Sequence, residues 1–280
     1  PVQGRAQAMA EQYGIKNWYM TDDELLADPN VDVVSICSPI RFHYEQGLKA
    51  IRAGKHVHFN KTMAMTSEEA TELIEEAKRM NVKITSSPGM MAMPVNREMR
   101  RLVAENKLGH ITYAIGGVRG VLLYHLREGY RQDNYGSEPL VPTWYYKKPD
   151  GGPQYDHAVY GLFYSALAGG ENKMTPAIYG TEGKFVDGKF NDEVIFDTPV
   201  KGMMAKDLPI EHLKMHEPFV YRDVMELIDY VHGLREPVAT AEQGRHVLEI
   251  IEAGFESMKT GRVVELKTDF TPLTAEQLRD

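Results

Sequence analysis

The first ninety residues alternate between two periodicities, and this alternation constrains the fold more than any other feature of the sequence. Three short apolar runs, residues 31–36 (VDVVSI), 55–59 (KHVHF) and 82–86 (VKITS), read as strands. Between them lie segments with apolar residues at helical spacing. Residues 5–13 carry Ala6, Met9, Ala10 and Tyr13 on one stripe, and Gly14 follows as a stop. Residues 22–27 read as a short helix with an Asp cap, and residues 42–53 as a helix ended by Gly54. Thr66-Ser67-Glu68-Glu69 is a capping box that opens a helix reaching Met80.

Strands joined by helices of this length run parallel. The expectation is a doubly wound α/β sheet whose first run is buried on both faces, with Cys37 inside. Ligands of such sheets bind beyond the carboxyl ends of the strands. Those ends are Ser38-Pro39, Asn60-Lys61-Thr62 and Ser86-Ser87-Pro88.

The pattern changes at Pro94. A helix over 94–106 leads to a strand over 111–119, a polar and aromatic stretch over 120–152, and a helix over 154–167. Short strand-like pieces, helices over 220–234 and 241–259, and a last strand over 263–266 complete the chain. Mixed order of this kind indicates a second, α+β domain. The expected division is 1–93 and 94–280. At 280 residues the chain is long enough for two cores.

A net charge of -8 argues against nucleic acid as a partner, because phosphate binding needs a basic footprint. A single cysteine rules out an internal disulfide and a zinc cluster built from cysteines. No apolar run reaches the roughly 18 residues that a membrane span requires. A cytoplasmic location is the default expectation, with an exported form left open because the sequence starts at Pro1.

Several residues could carry chemistry. Lys61 is either a surface lysine at a strand exit or an ammonium that holds a substrate hydroxyl and stabilises charge on its oxygen. Asp156 and Tyr160 lie four apart, on one face of an expected helix behind Gly151-Gly152. They are either a packed tyrosine tied to an aspartate or a site for a polyhydroxylated substrate. His157 is turned about 100° from Asp156 on a helix and is a second candidate base. His43 either approaches a cofactor or caps its helix. Trp144, Tyr145 and Tyr146 suit the apolar face of a sugar ring or a packed domain interface. His56 and His58 alternate along a strand and read as packed residues or as supports behind the site rather than metal ligands, and the methionines at 90, 91 and 93 as apolar filling rather than a soft metal site.

Taken together these segments resemble the glucose-fructose oxidoreductase/inositol dehydrogenase/MocA family. The resemblance is carried by RAQAMAEQYGI at 5–15, by the long stretch from ADPNVDVVSICSPI to RMNVKI at 27–84, by GGPQYDHAVYGLFYSALAGG at 151–170, and by EPVATAEQGRHVLEIIEAGFESMKTGRVVEL at 236–266. It implies an N-terminal Rossmann domain, a C-terminal domain with an open, mainly antiparallel sheet, NAD or NADP as cofactor, a carbohydrate or polyol substrate, and a homo-oligomer, dimer or tetramer. By position, Lys61 is the family's catalytic lysine and Asp156 its substrate aspartate, with Tyr160 where most members have a histidine. Ser38, Pro39, His43, Asn60 and Lys61 fall where the family contacts the cofactor, and Trp144, Tyr145, Asp156 and His157 where substrate is expected. Asn60, Thr62 and Met91 replace the family's usual Glu, Pro and Arg. The stretch 170–180 looks short for the family's strands. The resemblance also implies a strand and a GxGxxG turn ahead of Pro1, so a longer parent protein is expected. Two other readings stay open: a glycoside-processing enzyme that retains its cofactor without net redox, and a non-catalytic cofactor sensor.

Overall fold

The computed structural model describes residues 4–87, 89–92, 94–115, 170–171, 177–186, 188–195 and 218–279. Strands β1 (Val33–Ile36), β2 (His56–Phe59) and β3 (Ile84–Ser86) form a parallel sheet in the order β1-β2-β3. Around them lie helices α1 (Arg5–Tyr13), α2 (Asp22–Ala27), α3 (His43–Arg52) and α4 (Ser67–Met80).

Local chemistry sets the helix ends. Helix α1 stops at Gly14 in the left-handed region, and α4 at Asn81, also left-handed. Thr66 and Glu69 form the expected capping box at the start of α4. The cap of α2 is Thr21, boxed with Glu24, rather than an aspartate; Asp22 is already helical and favours the positive end of the helix dipole.

Alternation along the strands gives the sheet two unlike faces. Val34, Ile36, Val57, Phe59 and Ile84 point to one side, where α3 packs on β1 and β2 and against α4. Ser35, His58 and Thr85 align across the other side. Two helices from the far end of the sequence also pack on this sheet. Helix α6 (Pro218–Val231) packs on β2 and on the turn Gly89–Ala92, and α7 (Ala241–Thr260) packs on α4 and β3.

Helix α5 (Pro94–Ala104) leads into the second sheet, ordered β5-β4-β6-β7-β8-β9. Its strands are β4 (Ile111–Ile115), β5 (Gly170–Glu171), β6 (Ala177–Gly180), β7 (Lys184–Val186), β8 (Lys189–Phe190) and β9 (Glu193–Val194). Among the described strand pairs only β4–β5 is parallel, so the sheet is mainly antiparallel, as expected. The stretch 170–180, which looked too short, supplies both neighbours of β4. Among the described residues no helix is long and apolar enough to cross a membrane.

Three other expectations are corrected. Residues 263–266 form no strand: Val263 is 94% exposed, and the chain beyond is anchored instead by Glu249, whose carboxylate accepts the amides of Lys267 and Thr268. Cys37 is exposed, one residue past the end of β1, with its Sγ 3.4 Å from Ser35 Oγ. The first apolar run is not buried on both faces: in β1 Ser35 is exposed, Val33 and Val34 are half-buried and Ile36 alone of the four residues is buried.

Close approach of helix and sheet depends on glycine at one point in α3. A Cβ on Gly47 would stand 2.5 Å from two ring atoms of Phe59, whereas one on Gly254 of α7 would meet nothing within 4 Å. Gly47→Ala should therefore lower stability in urea titration by about 1–3 kcal/mol through overpacking. Gly254→Ala should raise it by about 0.5–1 kcal/mol by removing backbone freedom from a helix interior. An unchanged midpoint for Gly47→Ala would contradict this packing.

Candidate active site

Because β1, β2 and β3 are parallel, their carboxyl ends share one edge. Beyond β1 the chain passes Ser38 and Pro39 into a short 3-10 turn, Ile40–Phe42, closed by the bond from the Phe42 amide to the Pro39 carbonyl (2.9 Å). The Ser38 hydroxyl donates to Gln46 Oε1 at 2.6 Å. Beyond β2 come Asn60, Lys61 and Thr62. The Asn60 amide donates to the Ile36 carbonyl at 3.0 Å, and the Ser87 amide to the Phe59 carbonyl at 2.8 Å, so all three exits are laced together. Asn60 Oδ1 accepts the Lys61 amide at 2.8 Å, the Lys61–Thr62 peptide is cis, and the Thr62 hydroxyl donates to the Ala64 carbonyl at 2.8 Å.

His43, the first residue of α3, is buried between two of these loops. Its Nδ1 lies 2.6 Å from the Thr62 carbonyl oxygen and its Nε2 2.7 Å from that of Ser38. Both ring nitrogens thus face backbone carbonyls, and the neutral ring donates to one of them. Burial pushes the imidazole below the usual histidine range; the two carbonyls favour its charged form but offset this only in part, and the Lys61 charge adds to the lowering.

Behind this edge stands a polar layer that the sequence reading missed. His58 Nε2 lies 2.8 Å from Asp223 Oδ2, and the Ser87 hydroxyl donates to that same oxygen. Ser35 Oγ lies 2.8 Å from His58 Nδ1. His58, Ser87 and Asp223 are all buried. Farther along α6, Arg97 donates to Glu226 at 3.2 Å, Glu226 accepts the Val238 amide at 2.8 Å, and Arg100 donates to the Val238 carbonyl at 2.6 Å. Burial raises the Glu226 carboxyl above its usual range and brings Arg100 down to about 10. The available signal was the helical spacing of Asp223, Glu226 and Leu227, which puts two carboxylates on a buried stripe.

Of the residues expected at the site, the structure brings Ser38, Pro39, His43, Asn60 and Lys61 together. Trp144, Tyr145, Asp156, His157 and Tyr160 lie outside the described residues. Ser38, Asn60 and Lys61 are half-buried along the edge. A hydroxyl, an amide and an ammonium are the groups that bind ribose hydroxyls and a carboxamide, so this donor set fits a nicotinamide nucleotide.

Comparison with known proteins identifies the family and the fold. A family model described as an oxidoreductase family, NAD-binding Rossmann fold, matches residues 1–87, and its companion, described as the C-terminal alpha/beta domain, matches residues 161–266. The 1,5-anhydro-D-fructose reductase of Ensifer adhaerens is 26% identical over 94% of this chain and 88% of its own length. The D-glucoside 3-dehydrogenase of Escherichia coli is 36% identical, over 38% of this chain and 30% of its own. Levoglucosan dehydrogenase, solved with NADH and levoglucosan, superimposes with a TM-score of 0.64 over 91% of this chain and 85% of its own, at 15% identity. That last likeness is one of fold.

The His43 environment has a pH consequence. A histidine whose folded value lies below its unfolded one of about 6.5 leaves the unfolded chain with more bound protons in acid, so stability is lost as pH falls through that value toward the folded one. His43→Gln should remove part of this loss. Urea midpoints at pH 7.5 and 5.5 should fall less steeply with acidification in the variant, whatever its stability at pH 7.5. An equal slope in both proteins would show that His43 is not held neutral.

Proposed function

The chain belongs to the glucose-fructose oxidoreductase/inositol dehydrogenase/MocA oxidoreductase family, and on that premise we propose that it oxidises and reduces a secondary alcohol of a sugar, polyol or glycoside with NAD or NADP. The observation that carries this reading is the lacing of three parallel strand exits around Lys61, with Ser38 and Asn60 beside it. The names of the similar proteins, an anhydrosugar reductase and a glucoside dehydrogenase, support a sugar or sugar derivative as substrate.

When bound, the nicotinamide supplies the hydride acceptor. Ser38, Pro39 and Asn60 would hold it, with His43 keeping their loops in place. Lys61 binds the substrate hydroxyl and stabilises the negative charge that develops on its oxygen. Tyr160 takes the hydroxyl proton. An unperturbed tyrosine has a pKa of about 10, and an ammonium brought beside it would lower that value. Asp156 orients the substrate, and Trp144 and Tyr145 offer aromatic faces to the sugar ring. The division at residues 93 and 94 into a cofactor part and a substrate part, a cytoplasmic location and a homo-oligomeric state belong to the same proposal.

Lys61→Ala should abolish turnover while nicotinamide cofactor still binds, measured by steady-state assay and by quenching of protein fluorescence. Turnover like that of the wild type would remove Lys61 from the mechanism. Tyr160→Phe should lose most of kcat; a worse lesion in His157→Ala would move the base to that histidine. Substrate turnover without net cofactor reduction would favour the glycoside-processing alternative.

A further inference from the structure

We propose that Asp223 is a positioning residue for this reaction: a single oxygen of its buried carboxylate holds the exits of β2 and β3 together and so sets where Lys61 stands. The proposal rests on the reading of Lys61 as the catalytic lysine.

Asp223 lies on α6, more than 120 residues beyond β3 in sequence, yet its Oδ2 takes hydrogen bonds from both His58 Nε2 and Ser87 Oγ. His58 is three residues before Lys61 on β2, and Ser87 is the first residue after β3. The same Ser87 donates its amide to the Phe59 carbonyl, one residue before Asn60. The backbone that presents Lys61 is therefore tied to Asp223 by two short routes, one through the His58 side chain and one through Ser87.

One assignment of protons satisfies the whole network. Ser35 donates to His58 Nδ1, and His58 donates from Nε2 to Asp223. Ser87 donates to the same carboxylate. Each polar atom that makes these bonds then has its partner, as burial demands. Losing the carboxylate leaves the imidazole N–H and the serine hydroxyl unpaired in a buried layer. They can recover partners only by moving, and β2 moves with them. An apolar helix face would have covered the sheet equally well. A carboxylate there fixes the distance between two strand exits, which apolar packing does not do.

The test has two independent readouts on Asp223→Ala, with Asp223→Asn and Ser87→Ala as milder variants and the solvent-facing Glu256→Gln as control. The first is kinetic: kcat on an accepted sugar, per folded molecule, should fall about tenfold to a hundredfold, the cost of a small misplacement of a catalytic group. The KM for that sugar should change by no more than about twofold, since a loss confined to kcat marks a transition-state interaction. The second needs no turnover: in protein carrying 13C-methylated lysines, the NMR signal of Lys61, assigned by its loss in Lys61→Arg, should shift in Asp223→Ala and stay put in the control. A moved Lys61 signal in a protein whose wild type oxidises no sugar would keep the positioning role and defeat the catalytic reading. An unmoved signal overturns the proposal, whether or not kcat falls. Should Asp223→Ala not fold, the two milder variants carry the same comparison.

Discussion

Parallel strands that stop at one level leave amides and carbonyls without ladder partners, and those groups must be satisfied within the loops that follow. Here the satisfaction is mutual. The Asn60 amide uses the carbonyl of Ile36, the Ser87 amide uses that of Phe59, and His43 lies between the carbonyls of Ser38 and Thr62. None of the three loops is placed alone. This interlocking fixes the half-buried polar groups of Ser38, Asn60 and Lys61 along one edge, and the functional reading depends on it.

The layer behind that edge is costly and specific. The buried arginine–carboxylate pair of Arg97 with Glu226 loses solvation that its attraction only partly offsets, and the buried Asp223 carboxylate depends on the hydrogen bonds it accepts from His58 and Ser87. Removing one partner from such a pair typically costs about 3–5 kcal/mol, although the intact pair adds little. Their effect is to define position. They lock α6 onto β2, the loop after β3 and α5, so that residues from the far end of the chain determine the geometry of a site built mainly from its first ninety.

Much of the first sheet was legible because its signals are local. Gly14, the Thr66 capping box and the β-branched runs act through their own neighbours in sequence, and the elements they marked were found within a few residues. The rule that ligands lie beyond the carboxyl ends of parallel strands picked out Ser38, Asn60 and Lys61 for the same reason. The failures share a physical cause. Cys37, the first apolar run and residues 263–266 depended on which strand or helix would lie alongside, and an apolar alternation carries no record of its partner. Asp223 was missed because a helical aspartate gains meaning only through the His58 and Ser87 it meets, from strands far away in sequence. His43 was anticipated at the edge, but its hold on two carbonyls needed the fold to be seen.

The central claim is that the carboxyl edge of the first sheet is a nicotinamide nucleotide site. Titration calorimetry of the protein, stripped of bound small molecules, with NADH and NADPH tests it most directly. The account predicts saturable binding of at least one of them at one site per chain. Absence of binding by both would contradict it and leave the family fold serving another purpose.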